Sequence, residues 1–188
     1  SGTLTLTVNG FMSASGIFDP SPVGNTVVTT YGSGTIPNTL SGYSNLTVNG
    51  AGTKTLNAAV ATTIVGKNLT IGVGSTLNAN NKNLAIGGNW TKNGTFVASS
   101  GHSVTFNGSS AQTLSSTGTT TFEQLTMSNT SGGVSITSGT YILNDVLTST
   151  SGNFNTNGNS FTLLSNASRT ARIAPVTGGG SFSGNFII

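Results

Sequence analysis

The chain has 188 residues, enough for one domain of ordinary size, and only 5% of them are charged. Cys is absent, which excludes disulfide staples and thiolate chemistry. The net charge of +3 rests on Lys54, Lys67, Lys82, Lys92, Arg169 and Arg172, a scatter read as solvated side chains rather than the basic stripe a nucleic-acid partner requires.

No apolar run approaches the roughly 20 residues of a membrane span, so none is expected. About two fifths of the chain is Thr, Ser and Asn, with 27 Gly besides. Thr, Val, Ile and Phe are too plentiful for a disordered chain. Low charge, no Cys and this polar composition point to a secreted bacterial or archaeal protein. Ser1 opens the chain without an initiator Met, which reads as a processed protein or an excised piece.

"TLTLTVNG" at Thr3 to Gly10 is a clean alternating strand. Residues 9 to 44 then hold three of the four prolines, Pro20, Pro22 and Pro37, and little repeat signal. With the first strand they read as an irregular cap region, 1–42. From Tyr43 the chain repeats itself. NLTV (Asn45 to Val48), NLTI (Asn68 to Ile71) and NLAI (Asn83 to Ile86) are followed by SVTF (Ser103 to Phe106) and QLTM (Gln124 to Met127). The recurring apolar positions are Leu46, Leu69, Leu84, Val104, Leu125 and Leu147. Between them lie short alternating runs such as TTIVG, STLNA, GTFVA and GVSIT, each closed by Gly, Asn or Ser. No helix longer than one turn is expected.

Two or three short strands in each repeat of about 20 residues predict an all-β fold, a β-solenoid or parallel β-helix over 43–188 with irregular or strand-donating termini. In that arrangement Leu69 and Leu84 stack inward in successive coils, Asn68 and Asn83 form an amide ladder, and Lys67 and Lys82 face solvent. An antiparallel sandwich also accommodates many short strands. Similarity of the repeats in sequence, not only in period, favours the solenoid.

The segments "NLTVNGAGTKTL", "NLAIGGNWTKNGTFVASSGHSVTFNGSSAQTL" and "TARIAPVTGG" resemble the repeat regions of large secreted cell-surface proteins of Bacteroidota. The resemblance spans about Tyr43 to Phe186. It implies β-solenoid stalks of adhesin-like and motility-associated proteins, and it supplies no catalytic residues.

Chemistry is sparse. Glu123 and Asp145 each precede a repeat leucine by two residues, so they are expected on adjacent coils. A close carboxylate pair is what glycoside hydrolysis needs, but a solvated face is the plainer reading. His102, the only histidine, falls in a turn signal, "SGHSV". Neither a zinc site nor a Ser-His-Asp triad assembles around it. "NTNGN" at Asn155 to Asn159 offers amides, not the carboxylates of a calcium site, and neither "GVGST" nor "TGGGS" is a phosphate loop. No cofactor or metal is expected. Trp90 and Phe96 read as core at a coil corner rather than as a sugar platform.

The ends of a solenoid present unpaired strand edges. Here "TLTLTVNG" and "SFSGNFII" carry no charge or Pro to guard them. The expected assembly interface is therefore Thr3, Leu4, Leu6 and Val8 against Phe182, Phe186, Ile187 and Ile188. It would join copies into a homo-oligomer or homopolymer by strand addition, the other reading being a segment of a longer stalk whose open ends are where it was cut. The competing expectation is a module binding a polysaccharide or another surface through ladders of Thr and Asn, to which an ice-binding face would look similar. A Thr-x-Thr array on every coil is its signature, and in the linear sequence "TLTLT" occurs only once.

Overall fold

The computed structural model describes residues 5–9, 24–36 and 42–188. Among them there is no helix. In chain order the strands are β1 (Thr5–Val8), β2 (Thr26–Thr29), β3 (Gly34–Thr35), β4 (Asn45–Val48), β5 (Gly52–Thr55), β6 (Thr62–Val65) and β7 (Leu69–Ile71). Then come β8 (Ser75–Asn78), β9 (Asn83–Ile86), β10 (Trp90–Lys92), β11 (Thr95–Val97), β12 (Ser103–Phe106), β13 (Gln112–Phe122) and β14 (Gln124–Ser128). The last are β15 (Val134–Leu143), β16 (Val146–Ser151), β17 (Asn153–Asn155), β18 (Phe161–Leu163), β19 (Arg172–Ile173), β20 (Ser181–Ser183) and β21 (Phe186–Ile187).

These strands wind into a β-solenoid of about 8 turns, roughly 21 residues per turn. The first face is ordered β1-β2-β4-β7-β10-β13-β15-β17-β20. The second is β3-β5-β8-β11, and the third is β6-β9-β12-β14-β16-β19. β13 and β15 run round a corner. Their later halves carry the second face onward, with β18 on β15 and β21 on β18. The Phe122 ring, 6.0 Å from Phe96, marks the junction.

Strand formation follows from alternation. In each strand one set of side chains points inward and stacks on its counterpart in the next coil. On the first face the inward column is Leu6–Val27–Leu46–Leu69–Trp90–Leu114–Ile136. On the third it is Leu84–Val104–Leu125–Leu147. From Val27 on, all of these are buried, and each Leu, Ile or Val contributes about 1.5–3 kcal/mol of apolar transfer.

Two expectations are corrected here. Leu69 and Leu84 do not stack: Leu69 pairs with Trp90 on the first face, and Leu84 with Val104 on the third. NLTI and NLAI are thus two sides of one coil. The amide ladder exists with other members. The Asn45 Oδ1 accepts the Asn68 N–H at 3.2 Å, Asn68 Oδ1 accepts Asn89 N–H at 2.9 Å, and Asn89 Oδ1 accepts Thr113 N–H at 2.9 Å. Asn83 serves Ser103 on the third face instead.

The stretch expected as irregular holds strands of the solenoid. "NTVVTTY" forms β2, in register between β1 and β4, and Gly34–Thr35 joins the second face. Pro20, Pro22 and Pro37 lie outside the described residues.

Tight corners between the faces need special backbone. At Gly50, φ is +75° and an added Cβ would collide with the Thr30 carbonyl of the preceding coil. At Asn80 and Asn81 the φ values of 51° and 56° place consecutive non-glycine residues in the left-handed region, a conformation Asn tolerates.

Candidate functional sites

The carboxylates come together as expected and are then occupied. Glu123 and Asp145 sit at the same corner of adjacent coils, the Asp145 N–H donating to the Glu123 carbonyl at 3.0 Å. Glu123 Oε1 accepts from Asn144 Nδ2 at 2.9 Å, and its Oε2 is paired with Arg169. Asp145 accepts from Gln124 Nε2 at 2.9 Å and from Arg172 Nη1 at 3.2 Å. Each carboxylate thus has an arginine and an amide, which makes an electrostatic clamp rather than two carboxyls facing one substrate.

The arginines arrive on an insertion. At this corner β13 and β14 are separated by one residue, Glu123, and β15 and β16 by two. Between β18 and β19 the connection is residues 164–171, and it folds back over earlier coils. Asn166 Oδ1 shapes it by accepting the Ser168 and Arg169 N–H groups at 2.8 and 3.0 Å. Arg169 then reaches Glu123 and the Ser100 hydroxyl, 46 and 69 residues back. Ser100, Glu123, Asn166, Ala167, Ser168 and Arg169 line an open cleft of about 450 Å³. His102 stands nearby in a turn, its Nδ1 2.9 Å from the Ser100 carbonyl.

Two lysines expected in solvent are interior. Lys54 is fully buried; its Nζ donates to the carbonyls of Gly50 (2.5 Å) and Ala51 (2.9 Å) and lies 5.8 Å from the Tyr31 ring centroid. Lys92, also buried, donates to the carbonyls of Gly94 (3.1 Å) and Thr117 (3.3 Å). Both cap inward carbonyls where the first face turns into the second, a task Ser75 performs in the coil between them. Burial lowers the pKa of both amines. The signal was in the alternation: Lys54 shares its phase with Leu56, and Lys92 with Trp90. Lys67 is exposed and Lys82 half-buried.

A buried amide pair at the opposite corner also escaped the sequence reading. Gln112 and Asn129 bond to each other at 2.9 Å. Between them they satisfy the carbonyls of Ile86, Gly88 and Ser110 and the N–H groups of Gly108, Ser131 and Gly133. Trp90 and Phe96 are core, with ring centroids 5.0 Å apart in an edge-to-face pair.

Of the expected assembly residues, Thr3 and Leu4 lie outside the described residues. Val8 is buried and Leu6 packs partly against the core. Phe182 and Phe186 are half-buried, 6.0 Å apart, and Phe186 packs on Phe154 and Phe161. Ile187 is 50% exposed and Ile188 95%. β1 and β20 stand at opposite ends of the first face, so within one chain the two halves of the expected interface do not meet.

No family model matches the chain, and neither curated proteins nor solved structures give a match. No helix among the described residues is long and apolar enough to cross a membrane.

Proposed function

We propose that this chain is a non-enzymatic extracellular structural protein, a β-solenoid protomer that joins end to end into a surface filament or stalk. What supports the reading is the uncharged, partly apolar strands at the two edges of the described solenoid. β1 begins the first face and β20 ends it, while β21 ends the second, so each has a strand neighbour on one side only among the described residues. Phe182, Phe186 and Ile187 lie at the later edge with apolar surface in solvent.

A further coil of the same geometry, supplied by a second copy, satisfies the backbone groups and covers the apolar ones together. Repeated head to tail, that contact generates a filament when its rotation does not close a ring. The scarcity of charge supports this, since little repels a neighbour, and the composition supports an extracellular setting. The alternative, a carbohydrate- or surface-binding adhesin module, draws on the hydroxyl-bearing outer side of the first face.

Negative-stain electron microscopy at several protein concentrations, with and without residues 1–8, tests the assembly. Filaments that disappear on truncation are expected. Single particles under every condition overturn it.

A further inference from the structure

The outer side of the first face is a two-dimensional array that the linear sequence conceals. Thr47, Thr70 and Thr91 are exact register partners in β4, β7 and β10. Asn45, Asn68 and Asn89 form a second column two residues earlier, linked by their own side-chain hydrogen bonds. Coils repeat about every 4.8 Å, and same-side residues along a strand are about 6.6 Å apart. The array is therefore a grid on those two lengths. Ser115 extends the threonine column in the next coil. The signature sought as contiguous Thr-x-Thr is present as Asn-x-Thr, one pair on each of three successive coils.

Three properties define what fits this grid. First, it is pre-organised. Each Asn oxygen is held by the next coil's backbone, which fixes the direction of its NH₂ group (that of Asn45 donates to the Asn25 carbonyl at 3.0 Å), and χ1 of a strand threonine is restricted by its β-branch. The hydroxyls of Thr47, Thr70 and Thr91 have no hydrogen-bond partner in the described protein and face outward. Second, it is neutral. Among the described residues, the outward positions of the first-face strands hold no charged side chain. Third, among the described residues those positions hold no aromatic ring; the neighbouring Trp90 and Tyr43 are buried.

A single hydrogen bond to such a surface contributes only about 0.5–1.5 kcal/mol net. A small molecule touching two or three groups gains little, whereas a solid whose own sites repeat on the same two lengths engages the whole grid at once. Crystalline polysaccharides are such solids, but sugar rings are gripped through aromatic faces, and this face has none. Hexagonal ice repeats on similar lengths along its prism faces, is neutral, and offers donors and acceptors alike. Threonine methyl groups between the hydroxyls suit ordered water, which surrounds apolar groups without bonding to them. We infer that the outer grid of Thr47, Thr70, Thr91 and the paired asparagines binds ice. This inference is independent of end-to-end assembly.

The test uses the full chain in ice-recrystallisation and freezing-hysteresis assays. The unaltered protein is expected to slow grain growth and to shape crystals. Thr70→Lys and Thr91→Tyr, each placing bulk in the middle of the grid, are expected to raise the concentration needed about tenfold or more. Thr105→Lys and Thr126→Lys, on the outer side of the third face, are expected to leave it unchanged. Emission of Trp90 and thermal melts confirm that each variant is folded. No ice activity in the unaltered protein overturns the inference, as does equal loss in the third-face variants. Binding to crystalline cellulose or chitin that Thr70→Lys abolishes, with no effect on ice, also overturns it and assigns the face to a polysaccharide.

Discussion

Arg169 holds Glu123 from 46 residues away, across the coil that carries Asp145. Most contacts in a solenoid join one coil to the next, so stability is a sum of coil terms and neighbour terms. The insertion carrying Arg169 violates that rule by also touching Ser100. Its effect is to couple the opening of the later coils to that of earlier ones.

The Arg169–Glu123 pair is mostly shielded, at 25% and 15% side-chain exposure, so it is worth more than a surface ion pair, whereas Arg172 is 58% exposed and contributes less. A double-mutant cycle with Arg169→Ala and Glu123→Gln is expected to give a coupling energy of about 1 kcal/mol, and the same cycle on Arg172 and Asp145 about half that or less. Urea melts followed by Trp90 emission measure both. Equal couplings would show that the insertion adds nothing beyond an ordinary surface contact.

Register is testable through additivity. Leu69 stacks on Trp90, and Leu84 on Val104, with the two leucines on different faces. Leu69→Ala and Leu84→Ala are each expected to cost about 2–5 kcal/mol. Leu69→Ala combined with Trp90→Phe should depart from additivity by roughly 0.5 kcal/mol or more, because both line one column. A larger departure for the Leu69/Leu84 pair would contradict the observed winding.

The solenoid was legible because repeats and alternation are local signals, and the inward columns follow from alternation once the winding is known. Which repeats stack was not legible. Two similar motifs 15 residues apart look like successive coils, and only the coil length of roughly 21 residues places them on two faces. The corner position shared by Glu123 and Asp145 came through, because both precede a stacked leucine by the same step. Their arginine partners did not, since an insertion that folds back leaves no periodic trace. Lys54 and Lys92 were misplaced by a rule about charge that the alternation of "TKTL" and "WTKN" already contradicted.

The asparagine ladder sets the backbone of the first face. Asn68→Ala removes the acceptor for the Asn89 N–H, bonded at 2.9 Å, and leaves the Asn45 oxygen in place. Because Asn68 is exposed, water takes over part of the bond, and the expected loss is about 0.5–1.5 kcal/mol. Faster amide exchange confined to Asn89 and its neighbours is the accompanying sign. Unchanged exchange there would mean that the ladder follows from the strand stacking without supporting it.

The interior lysines give stability a distinct pH dependence. In the unfolded chain each amine titrates near its ordinary 10.5, while burial lowers it in the fold. Below the ordinary value the unfolded state therefore binds more protons, and stability rises as pH rises towards that value. Tyr43 and Tyr141 act in the opposite sense. Burial raises both above their ordinary 10.0, with Tyr31 adding to the effect on Tyr43. Above about pH 10 the unfolded state loses phenolic protons that the fold retains, and stability falls. Between pH 7 and 11 the lysines thus contribute a climb in the denaturant midpoint and the tyrosines a drop. Lys54→Met should flatten the climb while leaving the drop in place. A climb of undiminished slope in Lys54→Met would show that the Lys54 ammonium pays no desolvation cost inside the coil.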